Sequence, residues 1–141
     1  MATGYVPLTF DELTPVECAY LLNGCGPGTW LGKLIPELIF HESCQRHDFH
    51  YWSGHRESDR RRYERTFRDS MLENVREGQF SIRWRKLYLA IVWVYYLSVL
   101  LFGRSSFSYR ERYATRNELH REMRFAGWNP HGPSGQNPQL T

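Results

Sequence analysis

The chain has 141 residues and a formal net charge of +3, with 41% hydrophobic and 16% aromatic residues. That length holds one domain with its own core, and the apolar share excludes a disordered chain. Three cysteines are an odd count that does not fit a disulfide framework, although one bridge has room.

The basic side is nearly all arginine. Arg60-Arg61-Arg62, Arg83/Arg85/Lys86 and Arg121/Arg124 suit phosphate, because a planar guanidinium grips two oxygens at once. Anionic lipid and nucleic acid both fit, and a solvated helix face is the ordinary alternative. Met1 to Pro7 has no basic n-region before an apolar run, so no secretory signal is read there.

Taken in chain order, Thr14-Pro15-Val16-Glu17 predicts a helix start with a capping box and Pro in the first turn. This helix carries Cys18, Leu21 and Leu22 and stops at Asn23-Gly24. A glycine- and proline-rich loop fills residues 24–36. A second helix is expected from about Glu37 or Phe40 to Trp52, closed by Ser53-Gly54. A third runs from near Ser58-Asp59 to Glu77-Gly78, with Tyr63, Phe67, Met71 and Val75 repeating on one face.

Leu87 to Phe102 is nearly unbroken apolar sequence. As a helix it reaches only about 24 Å, short of the roughly 30 Å hydrocarbon core. It reads as a buried core helix, with a membrane-inserting or interfacial helix as the alternative. Phe107 to Tyr113 alternates weakly, as a short strand would. Thr115-Arg-Asn-Glu118 predicts another cap for a helix ending near Phe125. The expected fold is all-α: one compact helical domain over residues 1–125, with an antiparallel pair of core helices and a glycine-rich loop, and a disordered tail over 126–141.

The chemistry concentrates in residues 23–72. On a helix, His47, Tyr51, Cys44 and Asp48 fall near 0°, 40°, 60° and 100°. An imidazole, a phenol, a thiol and a carboxylate thus share a face, which packing alone does not call for. On the third helix Glu64 lies near 100° from Tyr63, inside the apolar arc. A carboxylate facing a core needs a partner. Folding the two helices as a hairpin about His55-Arg56 sets His47 and Glu64 at equal heights, so His47 is the expected partner.

His41, Cys44, His47 and His50 are spaced by three, but that stagger winds around the helix and lets only two neighbours share a zinc ion. His50, His55, His120 and His131 read as surface histidines. Trp30, Trp52, Trp84 and Trp128 suit either packing or a lipid interface.

Asn23-Gly24-Cys25-Gly26-Pro27-Gly28, then Pro36, then Cys44-x-x-His47-Asp48-x-x-Tyr51, resembles the calcium loop and catalytic helix of the phospholipase A2 superfamily. The likeness covers about 50 residues and is closer to the small bacterial, fungal and phage-type members than to the disulfide-rich animal enzymes. It implies a calcium-dependent carboxylic ester hydrolase that cleaves the sn-2 ester of phospholipids to fatty acid and lysophospholipid. By the same resemblance, the carbonyls of Gly24, Gly26 and Gly28 and the carboxylate of Asp48 hold Ca2+. His47 is the general base on water, and the Gly26 N–H helps hold the oxyanion. Glu64, where the family usually has Asp, and Tyr51 orient the imidazole, and Cys25 pairs with Cys44. Calcium chemistry agrees, since the ion takes several oxygen ligands and glycines let carbonyls curl inward.

One carboxylate among neutral carbonyls binds calcium weakly, in the roughly 10⁻⁴–10⁻³ M range. Action outside the producing cytosol follows, after release, injection or delivery with a virion, with a phospholipid surface as partner through peripheral membrane contact and no nucleic acid. The alternatives are a catalytically inactive phospholipase A2-like structural or lipid-binding module, and then a metal or nucleic-acid binding module.

Overall fold

A computed structural model describes residues 4–22 and 39–133. Among them are five α-helices and no strand: α1 Pro15–Leu21, α2 His41–Ser53, α3 Glu57–Glu77, α4 Ile82–Phe102 and α5 Arg116–Phe125. The all-α expectation holds. Local signals set several ends. Thr14 and Glu17 form the reciprocal capping box at α1, and Thr115 Oγ1 accepts from the Glu118 N–H at α5.

The α2–α3 turn is Gly54-His55-Arg56. Gly54 takes φ +71° and His55, unusually for a residue with a Cβ, φ +111°. A Cβ on Gly54 would meet the Ser108 carbonyl oxygen at 1.7 Å. The close approach is used: Ser108 N–H donates to the Tyr51 carbonyl and His55 N–H to that of Ser108. The weakly alternating Phe107–Tyr113 segment is therefore not a strand. It makes one isolated bridge, His55 to Tyr109, because its backbone bonds go to the α2–α3 turn.

Among the described residues three apolar clusters organise the fold. Phe40, Cys44, Phe67, Met71, Val75, Val92 and Tyr95 join α2, α3 and α4. Leu8, Val16, Leu21, Phe49, Leu119 and Met123 join the N-terminal segment, α1, α2 and α5. Tyr51, Tyr63 and Phe107 form the third. Glu17 is fully buried yet satisfied by its capping role, by Arg116 at 3.2 Å and by His120 at 3.2 Å. That cluster of charge ties α1 to α5.

α4 begins at Ile82, five residues before the apolar run, because Arg83, Arg85 and Lys86 are good helix formers. It is also not a buried core helix, since only Val92 and Tyr95 are buried along it. Within the expected disordered tail, Trp128 packs edge-on against Tyr20 with ring centroids 5.6 Å apart, and Pro130 is buried. Residues 134–141 lie outside the described residues.

Candidate active site

α2 and α3 pack antiparallel, and their contacts define the register. Ser43 meets Ser70 at 2.6 Å and Asn74 at 3.0 Å, His47 stacks on Phe67, His50 on Tyr63, and Tyr51 bonds Glu64. Glu64 is therefore level with Tyr51 and one helical turn from His47. The expected equal height of His47 and Glu64 fails, because the strained turn at Gly54 and His55 does not fold the chain symmetrically about His55-Arg56.

The imidazole of His47 lies between two rings, with centroids 4.2 Å from Tyr51 and 4.3 Å from Phe67. The residue is 8% exposed. Burial pushes its pKa down to about 3, with the neighbouring His50 adding to the effect. The ring is thus neutral at physiological pH. Its Nε2 is shut off from solvent and has no hydrogen-bond partner.

Glu64 is fully buried. Its Oε1 accepts from the Tyr51 hydroxyl at 2.6 Å and from Arg60 Nη1 at 2.5 Å, while Oε2 has no partner. Burial first, and then the Glu64 carboxylate, raise the Tyr51 pKa, so the phenol stays a protonated donor. A direct Nε2–Oε2 bond between His47 and Glu64 is not made. Instead Tyr51 links them, its ring tilted by 41° against one and its hydroxyl donating to the other. These two atoms, His47 Nε2 and Glu64 Oε2, belong to the two residues that sequence reasoning paired.

Asp48 follows His47 on α2 and is half-buried. Its carboxylate is a hard oxygen donor, chemistry that suits calcium. The other ligands expected, Gly24, Gly26 and Gly28, lie outside the described residues, as does Cys25. Cys44 is disulfide-bonded and Cys18 is free. Among the described residues no group of three His, Cys, Asp or Glu side chains is placed to hold a metal ion.

Sequence reasoning missed Arg60. It read the Arg60-Arg61-Arg62 run as an outward basic cluster, but Arg60 is buried and bridges Glu57 at 2.6 Å and Glu64. The i, i+3 and i, i+4 spacing of Glu57, Arg60 and Glu64 was the available signal. It also missed Gly103, where an added Cβ would lie 2.2 Å from the Tyr51 hydroxyl. The histidines expected at the surface are mostly not there. His50 is half-buried on Tyr63, His55 Nδ1 lies 3.0 Å from the Arg110 carbonyl, and His120 pairs with Glu17. Only His131 of the four is exposed.

No family model, curated protein or solved structure matches the chain. The functional reading therefore rests on these residues and their arrangement.

Proposed function

We propose that the protein is a calcium-dependent phospholipase of the phospholipase A2 type, with His47 as general base. The observation that carries this reading is the buried His47–Tyr51–Glu64 arrangement, in which an imidazole is fixed by stacking and an acid waits nearby with an unsatisfied oxygen. A neutral imidazole is the form that accepts a proton. Since Nε2 is closed to solvent, Nδ1 is the nitrogen left to take the proton from an attacking water. The resulting imidazolium carries an Nε2–H in need of an acceptor, and Glu64 Oε2 is buried and unsatisfied. A contact between the two would favour the charged ring at the moment it forms.

Asp48 and the carbonyls of Gly24, Gly26 and Gly28 are the residues that would hold calcium. When bound, the ion supplies the positive charge that polarises an ester carbonyl. Tyr51 and Phe67 hold the imidazole plane and keep water away from its inner edge.

The Arg60–Glu64 ion pair favours a second reading. An acid already neutralised by a buried guanidinium has less to offer an imidazolium, as in a lipid-binding module that no longer hydrolyses. Acyl release from phospholipid vesicles in millimolar calcium separates the two. The enzyme reading expects fatty acid from the native chain, lost with chelator and reduced at least about a hundredfold in His47→Ala. A folded chain that binds vesicles and releases no fatty acid establishes the module instead.

A further inference from the structure

No charged residue lies between Leu87 and Gly103, and α4 uses only one side of that stretch for packing. Val92 and Tyr95 face Phe67, Met71 and Val75 of α3. The opposite arc carries Leu87, Trp93, Val94, Leu97, Leu100 and Leu101, all exposed, with Leu97 at 52% and Leu101 at 72%. The Ser98 hydroxyl, on the helix flank, donates to the Val94 carbonyl at 2.7 Å and so asks nothing of a neighbour. Apolar surface this continuous marks a binding face.

Charge identifies the occupant. Where α3 begins and α4 ends, Arg60, Arg61, Arg65, Tyr96, Leu100 and Arg104 line a cleft of about 410 Å³. Four guanidiniums meet two carboxylates there. Glu57 is shared by Arg60, Arg61 and Arg104, and Glu64 is taken by Arg60. Arg61, Arg65 and Arg104 are exposed. Leu100 belongs both to this cleft and to the apolar arc, so a cationic pocket opens directly onto a greasy face. Arg83, Arg85 and Lys86 flank the other end of α4 and are exposed.

We propose that α4 is a membrane-docking surface whose apolar arc lies in the interface of an anionic bilayer, with a lipid phosphate held in the Arg61–Arg65–Arg104 cleft. Guanidiniums grip phosphate oxygens in pairs, and an apolar face bordered by basic residues is the pattern of an in-plane interfacial helix. At 21 residues α4 is about 31 Å long, enough to cross a bilayer. Crossing would carry α3 with it, including Arg61, Arg65, Arg68, Asp69 and Glu73, and charges at bilayer depth are strongly disfavoured. The packing of α3 on α4 therefore selects the in-plane position. A second copy of the chain is a poorer occupant, because both ends of the arc are basic and any pairing sets like charges together.

Partition of the full chain between buffer and vesicles tests this, measured in chelator so that hydrolysis takes no part. The vesicles are phosphatidylcholine alone or mixed with phosphatidylglycerol. The native chain is expected to bind the anionic vesicles more tightly. Arg65→Gln/Arg104→Gln, both exposed, should weaken that binding by roughly fivefold per arginine and leave neutral vesicles unaffected. Leu97→Gln/Leu101→Gln should weaken both, with circular dichroism unchanged. Equal native binding to both vesicles, or no effect of the leucine changes, overturns the proposal. So does a leucine variant that turns a dimer into a monomer while the native chain ignores vesicles. The proposal does not rest on hydrolysis: docking with no acyl release overturns only the enzyme reading.

Discussion

The Tyr51 hydroxyl donates to Glu64 at 2.6 Å while the Tyr51 ring packs, tilted, against His47 with centroids 4.2 Å apart. One side chain thus couples the imidazole on α2 to the acid on α3. Below it sits Gly103, the residue that closes α4, with no space for a methyl group. The arrangement of the site accordingly depends on three helices.

Removing the acid exposes that dependence. Glu64→Ala leaves the buried Arg60 with Glu57 alone and the Tyr51 hydroxyl without its acceptor. The loss should therefore fall below about 3–5 kcal/mol, the cost of a wholly unpaired buried charge. Glu64→Gln keeps an acceptor for Tyr51 and Arg60 and should cost less. Urea unfolding that ranks the two variants equally would show that the buried guanidinium is not what makes the loss large.

Gly103 and Tyr51 should be coupled. Gly103→Ala drives a methyl into the phenol oxygen, and Tyr51→Phe removes that oxygen together with a bond worth about 1 kcal/mol. The double variant should be less destabilised than the two single losses added together, by at least about 0.5 kcal/mol. Strict additivity in thermal or urea unfolding would contradict the contact.

Acid should loosen the fold before its carboxylates titrate. Burial, with His50 beside it, holds His47 near 3, and burial, Arg46 and Arg62 hold His50 near 4. Both values are about 6.5 in the unfolded chain. Between the two limits the unfolded chain binds more protons, so unfolding free energy rises with pH. The contribution is complete above about pH 6.5 and is lost as pH falls toward 4 for His50 and toward 3 for His47. Each histidine adds at most about 1.4 kcal/mol per pH unit. His50→Gln should roughly halve the slope from about pH 6 to about pH 5, and an unchanged slope would place the sensitivity elsewhere.

Gly54 should tolerate no side chain. Alanine there meets both an unfavourable φ and the Ser108 carbonyl, and the bonds from 107–110 to the α2–α3 turn would be displaced. A loss above about 2 kcal/mol is expected. A near-neutral Gly54→Ala in urea unfolding would show that the turn has room.

The sequence was readable where a local rule acts alone. Thr14 with Glu17, Thr115 and Gly54 marked helix ends because capping and positive φ depend on a few neighbouring residues. Glu64 stood out as an acid on an apolar arc, and it is indeed fully buried. The register was not readable. Wheel angles fix which face a residue takes but not its height against a partner helix, and positive φ at both Gly54 and His55 moved Glu64 one turn, from His47 to Tyr51. Arg60 was hidden for a related reason, since a run of three arginines looks uniform until packing buries one. Nor does an apolar run declare what it will touch. Leu87 to Phe102 has the composition of a core helix, yet half of its large side chains, Leu97 and Leu101 among them, face outward.

The proposed role of His47 is that of a base in the hydrolysis of phospholipid. Its most direct measurement uses a phospholipid with different acyl chains at sn-1 and sn-2, in millimolar calcium, followed by product identification. Free sn-2 fatty acid is expected from the native chain, none with chelator, and almost none from folded His47→Ala. Unchanged release in His47→Ala would contradict it, as would a folded native chain that leaves the lipid intact.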